Sequence, residues 1–139
     1  MNTKALITLE YDKIIKKLET FASSTMGKKL CKDLLPSSDY EEILSAQTET
    51  KDALTRLYKT GYLSFQGLSD IRPHLRLLEI DSTLNQKELL EIARLLSITA
   101  QAVEYGDTED EVLAYDSLNS YFGELDPLEF LYQLSLIHI

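Results

Sequence analysis

The stretch that decides the fold is Asn85-Gln86-Lys87-Glu88-Leu89-Leu90-Glu91-Ile92-Ala93-Arg94-Leu95-Leu96. Asn85 and Glu88 form a capping box, in which each side chain takes the other's backbone amide and opens a helix. From there Leu89, Ala93, Leu96, Ala100 and Val103 recur at four-three-four-three spacing, the pattern of a helix packed lengthwise on another. The helix is expected to reach about Tyr105, with Gly106 ending it.

The same signals extend outward in both directions. Ser38-Asp39-Tyr40-Glu41 reads as a second capping box on Ser38 and Glu41. It opens a helix to Gly61, with Ile43, Ala46, Thr50, Ala53, Leu54 and Leu57 as its apolar stripe and Gly61 as a left-handed terminus. Before it, Ile14, Ile15, Leu18 and Phe21 line one side of a helix over Asp12 to Ala22. Ser23, Ser24 and Thr25 then offer a stop and a new N-cap. A short helix follows that buries Met26, Leu30 and Leu34 and ends near Pro36. Tyr62 to Ser69 reads as a loop, and Asp70 caps a short helix with Pro73 in its first turn. Asp107 to Glu111 is an acidic connector, Val112 to Gly123 a further helix, and Pro127 the start of the last. Strand signals are nearly absent, so the fold class is all-α: two helices near 20 residues, each about 30 Å long, with shorter ones across them.

Composition narrows the function. The chain has 139 residues and a net charge of −9, a size suited to one domain or to part of a larger one. Charge is unevenly spread: residues 1–32 hold seven lysines against three acids, and from Ala100 onward nine acids stand with no Lys or Arg. An acidic body binds nucleic acid poorly, so a phosphate contact is expected only at the basic end, through Lys13, Lys16, Lys17, Lys28, Lys29 and Lys32. The amino terminus has no signal-peptide core and no apolar run approaches a membrane span. A single cysteine, Cys31, fits a reducing, cytoplasmic setting. It is expected to be a small buried hydrophobe.

Catalytic patterns are missing. Gly27-Lys28-Lys29 lacks the earlier glycine and the following Ser/Thr of a phosphate loop, so Gly27 is expected to serve close packing or a bend. His74, His138 and Cys31 match no zinc spacing, and His74 is expected at the surface, partly exposed. The carboxylate pairs Glu41/Glu42 and Glu88/Glu91 and the run Glu109-Asp110-Glu111 lie on amphipathic helices or connectors as solvated charges. No catalytic, cofactor or metal residue is assigned.

Thr8-Leu9-Glu10-Tyr11-Asp12-Lys13-Ile14, Ser24-Thr25-Met26-Gly27-Lys28, Leu35-Pro36-Ser37, Asp70-Ile71-Arg72-Pro73 with Leu75-Arg76, and Leu84 through Leu96 follow one another in an order that resembles the opening of the MutS-two family. These are bacterial MutS paralogues without a mismatch-reading domain, and the resemblance covers about residues 3–131. It implies a helical core or lever segment of a longer protein that has a clamp, a dimerising ATPase using ATP and Mg, and a small nuclease domain. Such proteins are associated with branched DNA, restraint of recombination and the splitting of collided ribosomes. The implied partners are the remainder of the polypeptide, a second copy, and DNA or the ribosome, with no membrane. None of the family's ATPase or nuclease motifs matches this chain. Phe122-Gly123-Glu124 spells the mismatch wedge of other MutS proteins, but in an acidic helix end, where chance is the better account. Residues 132–139, ending in Ser135-Leu136-Ile137-His138-Ile139, depart from the family and resemble read-through beyond a truncated reading frame. A free-standing helical module that docks a protein partner is the alternative reading.

Overall fold

A computed structural model describes residues 3–137, so the part of the apolar tail formed by His138 and Ile139 lies outside the described residues. Nine helices are present among them: α1 (Thr3–Thr8), α2 (Tyr11–Phe21), α3 (Thr25–Asp33), α4 (Tyr40–Thr60), α5 (Arg72–Glu79), α6 (Gln86–Gly106), α7 (Glu111–Ala114), α8 (Asn119–Gly123) and α9 (Glu129–Ile137). No strand occurs in the described residues, and the all-α reading holds. The two long helices are α4 and α6, each of 21 residues. At the amino-terminal end α2 packs with α1 and α3, while α6 packs with α8 and α9.

Local chemistry explains several helix starts. Asn85 and Glu88 exchange their side-chain and backbone bonds, at 3.1 and 2.7 Å, and open α6. Ser24 caps α3 by accepting from the Gly27 amide at 3.0 Å. A Cβ at Gly27 would also sit 3.0 Å from that hydroxyl, so the glycine serves close packing. The start of α4 differs from expectation: Asp39, not Ser38, is the cap and accepts from the Glu41 and Glu42 amides. The shift arises because Ser37 takes the Asp39 amide and bonds the Glu42 carboxylate, which displaces the reciprocal pair by one residue. At α5, Ile71 is the cap position and Asp70 stands one residue earlier. Its carboxylate accepts from the Arg72 amide at 3.1 Å and pairs with the Arg72 guanidinium.

Gly61 ends α4 with φ +92 and ψ −158. That backbone is open to glycine at little cost, though it is not the left-handed helical basin. Gly106 does not end α6 by a special backbone. It is the last helical residue, and its bare Cα admits Phe122 of α8; a Cβ there would stand 2.3 Å from the Phe122 Cβ. The single helix expected over Val112–Gly123 is broken into α7 and α8, because Asp116 and Ser117 between them are tied to α4.

The core is small. Ala93, Leu96, Ile98 and Ala102 of α6 and Leu113 of α7 are its buried hydrophobes. Leu89, expected on the packed stripe, is exposed, and Ile98, Ala102 and Gly106 continue the buried row instead. Leu30 and Leu34, expected to be buried by α3, are exposed as well, while Met26 and Cys31 are half-buried. These corrections share one cause: the periodicity marks faces that can be buried, and several of them stay exposed among the described residues.

Candidate functional site

The most unusual surface of the molecule is α4, because it is packed by its polar side. Glu49, Asp52, Arg56 and Lys59 recur at three- and four-residue spacing, so they share one face. That face lies on the segment from Asp110 to Tyr121. Tyr121 donates its hydroxyl to Glu49 at 3.3 Å, and Ser117 donates both its amide and its hydroxyl to Asp52 at 3.0 and 2.7 Å. Lys59 pairs with Asp110 at 2.7 Å. As α4 advances from residue 49 to 59, its partners descend from 121 to 110, so the segment runs antiparallel along it.

Arg56 is the centre of this seam and only 1% exposed. Its Nε donates to Asp116 Oδ2 at 2.6 Å, and its Nη2 donates to Asp116 Oδ1 at 2.9 Å and to the Leu113 carbonyl at 2.7 Å. The guanidinium carbon lies 4.8 Å from the centre of the Phe122 ring, a favourable cation–π placement. Nη1 is buried without a hydrogen-bond partner. Phe122 also tilts against Tyr105, with ring centres 5.7 Å apart. Phe122 of the wedge-like tripeptide is thus a packing element within the fold.

The apolar stripe of α4 lies about a third of a turn around the helix from this seam. Ile43, Leu54 and Leu57 are 37%, 48% and 44% exposed, and Ala46, Thr50 and Ala53 are exposed too. Leu34 and Leu35 line a groove of about 350 Å³ with Ile43, Ala46 and Thr50. The same two leucines line a second groove of about 580 Å³ with Leu6, Ile7, Tyr11 and Ile15. One apolar surface therefore runs from α1 and α2 onto α4.

The six lysines expected at a nucleic-acid contact divide into two sets. Lys13 pairs with Glu10 at 2.6 Å, Lys16 with Asp12 at 3.3 Å and Lys32 with Glu19 at 3.1 Å. Lys16 and Lys32 come together at the α1–α2 groove, but with Asp12 and Glu19 interleaved. Lys17, Lys28 and Lys29 make no ion pair within 4.0 Å among the described residues. Three of the six are therefore already balanced by neighbouring acids.

His74, expected at the surface and partly exposed, is half-buried, with 13% of its side chain exposed. Its Nε2 lies 2.8 Å from Glu91 Oε2, which also accepts from the Ser69 hydroxyl at 3.2 Å. The pair joins α5 to α6 and holds the Glu91 carboxyl below its ordinary range, chiefly through the His74 bond. Among the described residues no cluster of His, Cys, Asp or Glu could hold a metal ion, and no helix is long and apolar enough to cross a membrane. The Glu109–Glu111 run is not idle charge, since Asp110 caps α7 through the Val112 amide and pairs with Lys59. Ser69 and Glu91 also line an open groove of about 530 Å³ with Lys87, Arg94 and Tyr132.

Several carboxylates carry a pH consequence. Asp70 is lowered to about 2 by its bonds to Arg72. Asp52 is lowered by the Ser117 amide and hydroxyl, and Asp110 chiefly by Lys59. A carboxyl depressed in the folded state stabilises it above the ordinary pKa, and that contribution is lost as pH falls through the folded value. Thermal melts followed by circular dichroism should therefore be flat down to about pH 5 and fall steeply between about pH 4 and 2. Asp52→Asn and Asp110→Asn together should flatten that fall; an unchanged acid limb would show that the seam does not hold these groups.

Comparison with known proteins supplies the family. No family model matches the chain, and no solved structure does. Among curated proteins it is 48% identical over 133 residues to an Endonuclease MutS2 of Lachnoclostridium phytofermentans, covering 92% of this chain and 17% of that one. It is 39% identical over 131 residues to an Endonuclease MutS2 of Agathobacter rectalis, covering 94% and 16%. It is 38% identical over 136 residues to that of Ligilactobacillus salivarius, covering 97% and 17%. The chain spans about one sixth of the length of these relatives. Similar to them along more than nine-tenths of its own length, the chain belongs to the MutS2 family, whose amino-terminal helical segment it matches.

Proposed function

We propose that this chain serves as the amino-terminal structural segment of a MutS2-type clamp, a strut that carries ATPase state to a grip on DNA or on the ribosome. The observation that supports this reading is the match to endonucleases about six times as long. Its two 21-residue helices, with the Arg56 seam tying α4 to the segment that follows α6, suit a rigid element. ATP, Mg and the nuclease chemistry belong to other parts of such a protein. Lys17, Lys28 and Lys29, which make no ion pair within 4.0 Å among the described residues, are the cations best placed to meet phosphates.

The test is a chimera in which this chain replaces the matched segment of the Lachnoclostridium phytofermentans relative. Endonuclease activity should stay within about threefold of the relative's own, while the isolated chain should turn over neither nucleic acid nor ATP. Reversing Lys17, Lys28 and Lys29 to Glu in the chimera should weaken DNA or ribosome binding and flatten its salt dependence, by up to about 0.9 in log–log slope for each phosphate no longer neutralised. A folded chimera without activity, or an isolated chain with nuclease activity of its own, would overturn the proposal.

A further inference from the structure

The polar and apolar faces of α4 have exchanged their usual places. Arg56 is buried and Glu49 and Asp52 are half-buried, while Ile43, Leu54 and Leu57 stay 37%, 48% and 44% exposed, the reverse of what apolar transfer favours. The polar seam is fully assembled, so α4 is not merely loose on the molecule. Its apolar stripe lies about a third of a turn around the helix from that seam and is left for something outside this chain.

Resting on the functional reading above, we infer that the stripe Ile43–Ala46–Thr50–Leu54–Leu57, with Leu34 and Leu35, is the seat of one amphipathic helix from the part of MutS2 proteins outside this segment. Three observations favour that occupant. First, about five sixths of each relative's length lies outside the match, ample chain to supply a helix. Second, Ile43 to Leu57 extends about 21 Å along α4, so a helix of about 14 residues with apolar positions every three or four would cover it. Third, the stripe is small. At roughly 10 Å wide it offers a few hundred Å², well short of the ~800 Å² per partner of a stable separate complex. A tethered helix escapes most of the cost of association, because its effective concentration is set by the chain that links it. A second copy would bring another −9 of charge against the first without that advantage.

The experiment compares thiol labelling of Leu57→Cys, in a Cys31→Ser background, between the isolated chain and the full-length chimera. Tyr115→Cys serves as the control, because Tyr115 is 89% exposed and lies off the stripe. We expect Cys at 57 to label at least tenfold more slowly in the chimera than in the isolated chain, independently of protein concentration, with Cys at 115 fast in both. Equal labelling at 57 in an active chimera would overturn this inference and leave the proposed function standing. Slow labelling at 57 in an inactive chimera would do the reverse. Protection that grows with concentration in the isolated chain would assign the stripe to a second copy and overturn the inference as well.

Discussion

Replacing Arg56 with alanine should destabilise the chain by about 3–5 kcal/mol, the usual cost of removing one partner from a buried ion pair. The size follows from what is left behind. Asp116 would keep a carboxylate that is nearly buried and stripped of both guanidinium bonds, and the Leu113 carbonyl would lose its donor. Phe122 would lose the cation over its ring and face a hole where the side chain had been. Arg56→Lys should recover only part of the loss, since one ammonium cannot bridge two carboxylate oxygens, a carbonyl and a ring face at once. A domain with total stability of about 5–15 kcal/mol would be left marginal, and the urea midpoint would fall accordingly. A loss below about 1 kcal/mol would show that the orphaned Nη1 and the desolvation of the pair already cancel what the seam contributes.

That seam is not legible in the sequence, for a physical reason. Local signals are: the Asn85–Glu88 box, the Ser24 cap, the positive φ at Gly61 and the loop over Tyr62–Ser69 depend on residues only a few positions apart. Long-range choices are not. In the sequence Arg56 is an ordinary charge on the wet side of an amphipathic helix, and only its partners 57 and 60 residues away make that side the buried one. The apolar periodicity of α4 is plain, but its burial does not follow, because periodicity says which face seeks cover and not whether this chain provides it. Asp39 displaces Ser38 as cap through a hydroxyl one residue upstream, a competition between near-equal caps that pattern alone does not rank. Helix α1 is invisible for a simpler reason: six residues are too few to show a period. The six lysines form a visible cluster, and the Glu10–Lys13 and Asp12–Lys16 pairs follow from helical spacing, but the Lys32–Glu19 pair emerges only in three dimensions. The family resemblance, carried by ordered short runs, needs no geometry.

Gly106→Ala should destabilise by about 1–3 kcal/mol, against the gain of nearly 1 kcal/mol that the same change brings in an unhindered helix. The opposing term is steric: the new Cβ would stand 2.3 Å from the Phe122 Cβ and 2.6 Å from its Cγ. The Phe122 Cβ is fixed to the α8 backbone, so no rotamer change relieves its overlap and α8 must move. Because Phe122 touches Tyr105 and Arg56, that movement disturbs the seam at its centre. Gly123→Ala is the matched control: its Cβ would meet nothing within 4 Å and its backbone has no positive φ, so it should be neutral or stabilising by up to about 1 kcal/mol. Urea melts of the two variants give the energies, and near-ultraviolet circular dichroism should change for Gly106→Ala alone as Tyr105 and Phe122 lose their tilt. If both alanines proved equally harmless, α8 would not rest on α6 as described, and the brace that holds α4 by its polar face would lose its footing.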